Sequence, residues 1–245
     1  GAQVQIVKIL DAYIVKMDAG TGALLFSSYL GGAQSDRGFT VATDPEGNVY
    51  VAGSTLSLNF PLVAAFQSKF GGGLDDAFIT KISPSGSIIF STYFGGSGRD
   101  NVYDLAIDSG GSIVITGFTS SQNFLTVNPI QRAFSGGTDD AFVSKFNSTG
   151  TGLVFSTYLG GGGSDNGVRL TVDKDQNIYV TGVTASQNFP LKNPPQIFQG
   201  GSFDGFLVKL HPDGQDAEFS TYIGGEDTDS AVSVAVDKDG FIYVA

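Results

Sequence analysis

The sequence predicts an all-β fold, a β-propeller of four-stranded antiparallel blades, and three observations predict it. A seven-residue segment occurs four times: Phe26-Ser27-Ser28-Tyr29-Leu30-Gly31-Gly32, Phe90-Ser91-Thr92-Tyr93-Phe94-Gly95-Gly96, Phe155-Ser156-Thr157-Tyr158-Leu159-Gly160-Gly161 and Phe219-Ser220-Thr221-Tyr222-Ile223-Gly224-Gly225. Its tyrosines stand 64, 65 and 64 residues apart, and a fixed period of this size marks a repeat architecture. Each period contains four short apolar runs separated by turn residues, with no 3.6-residue periodicity. Four antiparallel strands per repeat make the blade of a propeller.

One repeat, taken in order, shows each element. Residues 95–100 form a glycine-rich loop, and 102–108 an apolar strand. Asp108-Ser109-Gly110-Gly111-Ser112 is a tight turn, with Gly where φ must be positive. Residues 113–119 are β-branched on both faces, so this second strand is buried on both sides. A long connection, 120–138, carries Asn123-Phe124, Pro129 and Gly136-Gly137. The third strand is 140–146, the turn 147–150 and the fourth strand 153–159.

The two ends are half-repeats. Residues 240–245 match 47–52, and Asp11-Ala12-Tyr13-Ile14-Val15-Lys16 matches Asp76-Ala77-Phe78-Ile79-Thr80-Lys81. The first segment therefore supplies strands three and four of a blade, and the last supplies strands one and two. The expected organisation is one domain over 1–245: a half-blade 1–30, repeats 31–94, 95–159 and 160–223, and a half-blade 224–245. That makes four blade-equivalents. The halves are expected to pair and close the ring within the chain, since open edges invite aggregation. The alternative is completion by another chain or by further sequence, and hence self-association through half-blades.

Composition narrows function. The net charge of −11 argues against nucleic acid and anionic membrane surfaces, which select basic patches. The 245 residues, 41% hydrophobic with 20 Phe and 9 Tyr, suffice for a sizeable core. There is no Cys, and no apolar run approaches the roughly 18 residues of a membrane span. Residues 1–10 lack the basic start and cleavage site of a signal peptide.

Together the motifs Thr43-Asp44-Pro45-Glu46-Gly47-Asn48-Val49-Tyr50-Val51-Ala52-Gly53, Asn59-Phe60-Pro61, Gly73-Leu74-Asp75-Asp76-Ala77-Phe78-Ile79-Thr80-Lys81 and Ser91-Thr92-Tyr93-Phe94-Gly95-Gly96 resemble the SBBP family of bacterial and archaeal β-propeller repeats. The resemblance runs from about Asp11 onward. It implies a propeller in secreted or cell-surface proteins and no catalytic activity. Leu125 replaces the motif proline in one repeat, and Phe203-Asp204-Gly205-Phe206 replaces Asp-Asp-Ala-Phe in another.

Several residues are candidates for a site. Asp36, Asp100, Asp165 and Asp229 recur before strand one, and Asp44, Asp108, Asp173 and Asp237 after it. They could form carboxylate rings at the channel mouths. The favoured reading is that each accepts N–H bonds within its own turn. Asp173, Asp175 and Asn177, with Asp237 and Asp239, resemble the first half of a calcium loop, but Thr184 stands where the closing Glu belongs, which favours a hairpin turn. Phe60, Phe124 and Phe189 are candidate stacking platforms for sugars, set against the simpler role of pinning a long loop. Lys16, Lys81, Lys145 and Lys209 recur at the end of strand three, solvated or paired with a nearby Asp. His211, the one histidine, sits in a turn, and Gly160-Gly161-Gly162-Gly163-Ser164 lacks the lysine of a phosphate loop. The chain is expected to be no enzyme but a secreted or cell-surface scaffold. Its expected partners are a protein or glycan at the cell surface, with neither nucleic acid binding nor membrane insertion. The alternative is a carbohydrate- or protein-binding propeller with Ca²⁺-assisted loops. A propeller hydrolase or lyase is the least supported class.

Overall fold

Three four-stranded antiparallel sheets follow one another along the chain in the computed structural model, which describes residues 10–197 and 200–245. Each is an up-and-down meander. The first holds β3 (Asp36–Thr43), β4 (Val49–Thr55), β5 (Asp76–Ile82) and β6 (Ile88–Phe94). The second holds β7 (Asp100–Ile107), β8 (Ile113–Thr119), β9 (Asp140–Phe146) and β10 (Leu153–Leu159). The third holds β11 (Asp165–Val172), β12 (Ile178–Thr184), β13 (Asp204–Leu210) and β14 (Ala217–Ile223). Two-stranded sheets flank them: β1 (Ala12–Met17) with β2 (Leu24–Leu30), and β15 (Val234–Val236) with β16 (Ile242–Val244). Among the described residues there is no helix.

The first strands β3, β7, β11 and β15 lie side by side in series, so strand one is the inner strand of each blade. Each full first strand carries a bulge, at Gly38/Thr40, Val102/Asp104 and Gly167/Arg169, which locally raises the twist. Opposite the second bulge stands Gly117, where a Cβ would collide with the Asn101 carbonyl. The second strands β4 and β8 are buried along their whole length, as their Val, Ile and Tyr residues require.

The apolar cores lie between blades. Tyr50, Ile79, Phe90 and Phe94 of the first blade meet Leu105, Ile115, Phe142 and Phe146 of the second in one buried cluster. Phe94 and Phe146 meet edge to face at 5.1 Å, a favoured aromatic geometry. A second cluster joins blades two and three through Val114, Phe155, Val180 and Phe206. A third seats Ala12, Ile14 and Leu30 of the N-terminal half-blade on Val51 and Phe78.

The half-blades do not pair with each other: β1–β2 and β15–β16 remain separate sheets. Ring closure within the chain, expected from the matching phase of the ends, is thus corrected for this span. Matching phase makes two edges complementary, but the angle turned at each blade junction decides whether they meet. Tyr13 and Tyr29 are left 72% and 80% exposed, and Phe241 and Tyr243 66% and 60%. Of the half-blade 1–30, residues 1–9 lie outside the described residues.

Candidate functional site

At one end of each blade, the turn between strands one and two is closed by its leading aspartate. Asp173 Oδ1 accepts the N–H groups of Asp175 and Asn177, both at 2.9 Å. Its Oδ2 accepts Asn177 Nδ2 at 2.9 Å and the Tyr179 hydroxyl at 3.0 Å. Asp237 repeats the pattern with Asp239, Phe241 and Tyr243. The main-chain N–H of Phe241, foremost among these bonds, holds the Asp237 carboxyl below the usual carboxylate range. Asp175 and Asp239 face outward, each 2.9 Å from its neighbouring lysine, Lys174 or Lys238. Of Asp173, Asp175, Asn177, Asp237 and Asp239, weighed as half a calcium loop against the favoured hairpin turn, three are bonded within the turns and two point to solvent. Among the described residues no group of three or more His, Cys, Asp or Glu is placed to hold a metal.

The repeated lysines answer these turns. Lys81 lies 3.3 Å from Asp44, and Lys145 lies 2.9 Å from Asp108. In the third blade Lys209 instead pairs with Glu218 at 2.6 Å, its ammonium 5.4 Å from the Tyr179 ring centre. The turns of the third blade and the C-terminal half-blade face each other across a cleft of about 440 Å³. Asp173, Tyr179, Lys209, Asp237 and Lys238 are among the residues lining it. Both charge signs and an aromatic ring suit this cleft to a polar ligand. Tyr179 and the altered pairing of Lys209 were not legible as site features, because the lysine recurs in every repeat and only its partner changes.

The opposite end holds the other aspartates. Asp100 accepts the Gly96 N–H and the Ser121 hydroxyl at 2.8 Å each, and the Thr119 hydroxyl. Asp165 does the same with Gly161, Ser186 and Thr184. Asp36 accepts Gly32 and Ser57, and Asp229 accepts Gly225. Asp36, Asp100 and Asp165 are buried and Asp229 partly so; they lock the Gly-Gly loops. Sequence reasoning missed a second set, Asp76, Asp140 and Asp204, all fully buried. Each lies in register with the first set through a threonine: Asp100 pairs with Thr119, which pairs with Asp140. Burial foremost, with the charge of Asp100 or Asp165 added, pushes the Asp76 and Asp140 carboxyls up to about 7. The signal was present in the repeated Asp-Ala-Phe and Asp-Gly-Phe triplets.

Phe60, Phe124 and Phe189 are 3%, 4% and 3% exposed. Their rings lie 4.6, 4.8 and 4.7 Å from those of Phe78, Phe142 and Phe206. They pack the long loops onto the blades, as the favoured loop-pinning reading has it.

The model of the SBBP β-propeller repeat matches residues 25–61, 154–190 and 218–245. Each matched segment begins in a fourth strand and runs through the next first and second strands. A viral relative, an "uncharacterized WD repeat-containing protein" of Acanthamoeba polyphaga mimivirus, is 23% identical over 200 residues. That alignment covers 70% of this chain and 14% of the relative.

Proposed function

We propose that this chain of SBBP β-propeller repeats is a noncatalytic structural or interaction scaffold, secreted or held at the cell surface, that self-associates through its two-stranded sheets β1–β2 and β15–β16. The carrying observation is the pair of complementary half-blades with exposed apolar edges. In the full blade Tyr50 pairs with Lys81 across strands two and three, and Lys81 reaches Asp44. The matching residues are Tyr243 and Asp237 on the C-terminal half and Lys16 on the N-terminal half, where Lys16 now reaches the Pro84 carbonyl at 3.3 Å. Strand addition of one half to the other, in a neighbouring copy, would restore both the ladder and the ion pair. The propeller match and the WD-repeat relative support an interaction role, and the resemblance of the motifs supports a surface location.

Mass in solution tests the assembly. The intact chain is expected to run above its monomer mass at micromolar concentration, and Val15→Pro, which breaks the β1 edge, to run as a monomer. A wild-type chain that stays monomeric at every concentration overturns self-assembly. Fractionation of the producing cells tests the location.

The second reading is a ligand-binding propeller, favoured by the mixed-charge cleft between Asp173 and Asp237. Glycan and peptide arrays test it, and binding lost with Tyr179→Ala would assign the cleft.

A further inference from the structure

In each full blade the long loop after strand two carries the same short motif, Ser-x-Asn-Phe, at 57–60, 121–124 and 186–189. Strands three and four receive it in the same way each time. The loop phenylalanine lies on a strand-three ring: Phe60 on Phe78, Phe124 on Phe142 and Phe189 on Phe206. The strand-four tyrosine, Tyr93, Tyr158 or Tyr222, donates its hydroxyl to the serine carbonyl at 2.6 Å. The same hydroxyl accepts the phenylalanine N–H at 3.0, 3.1 and 3.2 Å. Three residues further on, the loop main chain lies along the outer edge of strand four. Val63 bridges Ser91, Val127 bridges Ser156 and Lys192 bridges Ser220, each through two main-chain hydrogen bonds.

The β1–β2 sheet presents the same receiving surface, and among the described residues no loop bridges it. Tyr13 stands opposite Tyr29 as Phe78 stands opposite Tyr93, and Val15 opposite Ser27 as Thr80 opposite Ser91. Tyr29 thus holds the place of the receiving hydroxyl, and Tyr13 that of the receiving ring. Both are exposed, where Phe78 and Tyr93 are buried. With Val15, Ser27 and Ser28 they line an open hollow of about 400 Å³. Among the described residues, no main-chain bond reaches Ser27 on the outer edge of β2.

An exposed strand edge is a template for a further strand. An open pair of aromatic rings gains by covering with another ring. The open face continues a contact that the chain already makes three times, so those three contacts specify what fits it. The hollow carries no charged side chain, and the motif, with Leu or Gln at its variable position, carries none either. No charge need be desolvated when the two meet. The three motifs of this chain are engaged in their own blades, so the occupant comes from another polypeptide.

We propose that the β1–β2 face is a docking site for a Ser-x-Asn-Phe segment of another polypeptide. The segment lays its phenylalanine on Tyr13 and accepts the Tyr29 hydroxyl on its serine carbonyl. Its following residues pair with Ser27 along the β2 edge. The edge of β1 is left open, so the site does not rest on self-association.

The probe is a fluorescein-labelled peptide of residues 184–194, which contains the third motif and the residue that bridges strand four. It is titrated with the full chain and read by fluorescence anisotropy. Saturable binding is expected, lost when alanine replaces the phenylalanine of the peptide. Tyr29→Phe in the chain should weaken binding severalfold, and Tyr13→Ala with Tyr29→Ala should abolish it, with circular dichroism reporting the fold. Should the double variant fail to fold, Tyr29→Phe decides, and unchanged affinity overturns the site. So does an absence of saturable binding to the wild-type chain, equal binding of the alanine peptide, or binding that survives in a folded double variant. Mass in solution reads self-association separately, so either reading can fail alone.

Discussion

The Tyr158 hydroxyl donates to the Ser121 carbonyl at 2.6 Å and accepts the Phe124 N–H at 3.1 Å. One side chain from strand four thereby holds both ends of the loop segment 121–124. Tyr93 does so with Ser57 and Phe60, and Tyr222 with Ser186 and Phe189.

Tyr158→Phe removes only the hydroxyl and leaves the Phe124 N–H and the Ser121 carbonyl with the 3.3 Å bond they make to each other. It should cost about 0.5–1.5 kcal/mol. Tyr158→Ala also opens a cavity and should cost about 3–5 kcal/mol. Denaturant unfolding of both variants checks the order; a Tyr158→Phe variant as stable as wild type would mean that the hydroxyl contributes nothing.

Phe124 is buried against Phe142, so Phe124→Ala should cost about 3–5 kcal/mol of stability. Any glycan binding seen on an array should survive in the fraction that remains folded. Selective loss of binding in a stably folded variant would restore the platform role.

Burial alone would raise the Asp44 carboxyl. Hydrogen bonds from the Asn48 side chain and main chain, Lys81 and Tyr50 outweigh it and hold the group at about 2. Asp108 is lowered in the same sense, with burial again opposed first by Lys145. A folded pKa below the unfolded value gives stability that is complete above the unfolded pKa and is lost as pH falls through the folded one. These turns should therefore lose stability between about pH 4 and 2. Asp44→Asn with Asp108→Asn should flatten that part of the melting-temperature profile. An unchanged profile would show that the two turns carry no linkage.

Asp175 is exposed and paired with Lys174 alone, and such solvent-screened surface pairs contribute little to stability. Asp175→Asn should melt within a few degrees of wild type and keep the same response to added Ca²⁺. A Ca²⁺ response abolished by this one change would return the turn to the list of cation sites.

The local structure was legible because it depends on local chemistry. The recurring Phe-Ser-Thr-Tyr segment marks strand four, the β-branched run 113–119 marks a strand buried on both faces, and Asp108-Ser109-Gly110-Gly111 closes its own turn. Asp140 was not legible as a partner of Asp165, because they meet only after blade two packs on blade three. For the long-loop phenylalanines anchoring was the favoured reading over a platform role, but the ring each packs on, Phe142 beneath Phe124, lies in another strand and was not legible.

The sequence by itself determined the period, the four strands of each blade and the complementary phase of the two ends, because strand pattern, turn chemistry and repetition act over short separations. Tertiary structure alone decided which carboxylates share a blade junction, which aromatic faces vanish into the core, and that the two half-blades stand apart. Those outcomes depend on the angle and close packing between sheets, which no single repeat contains.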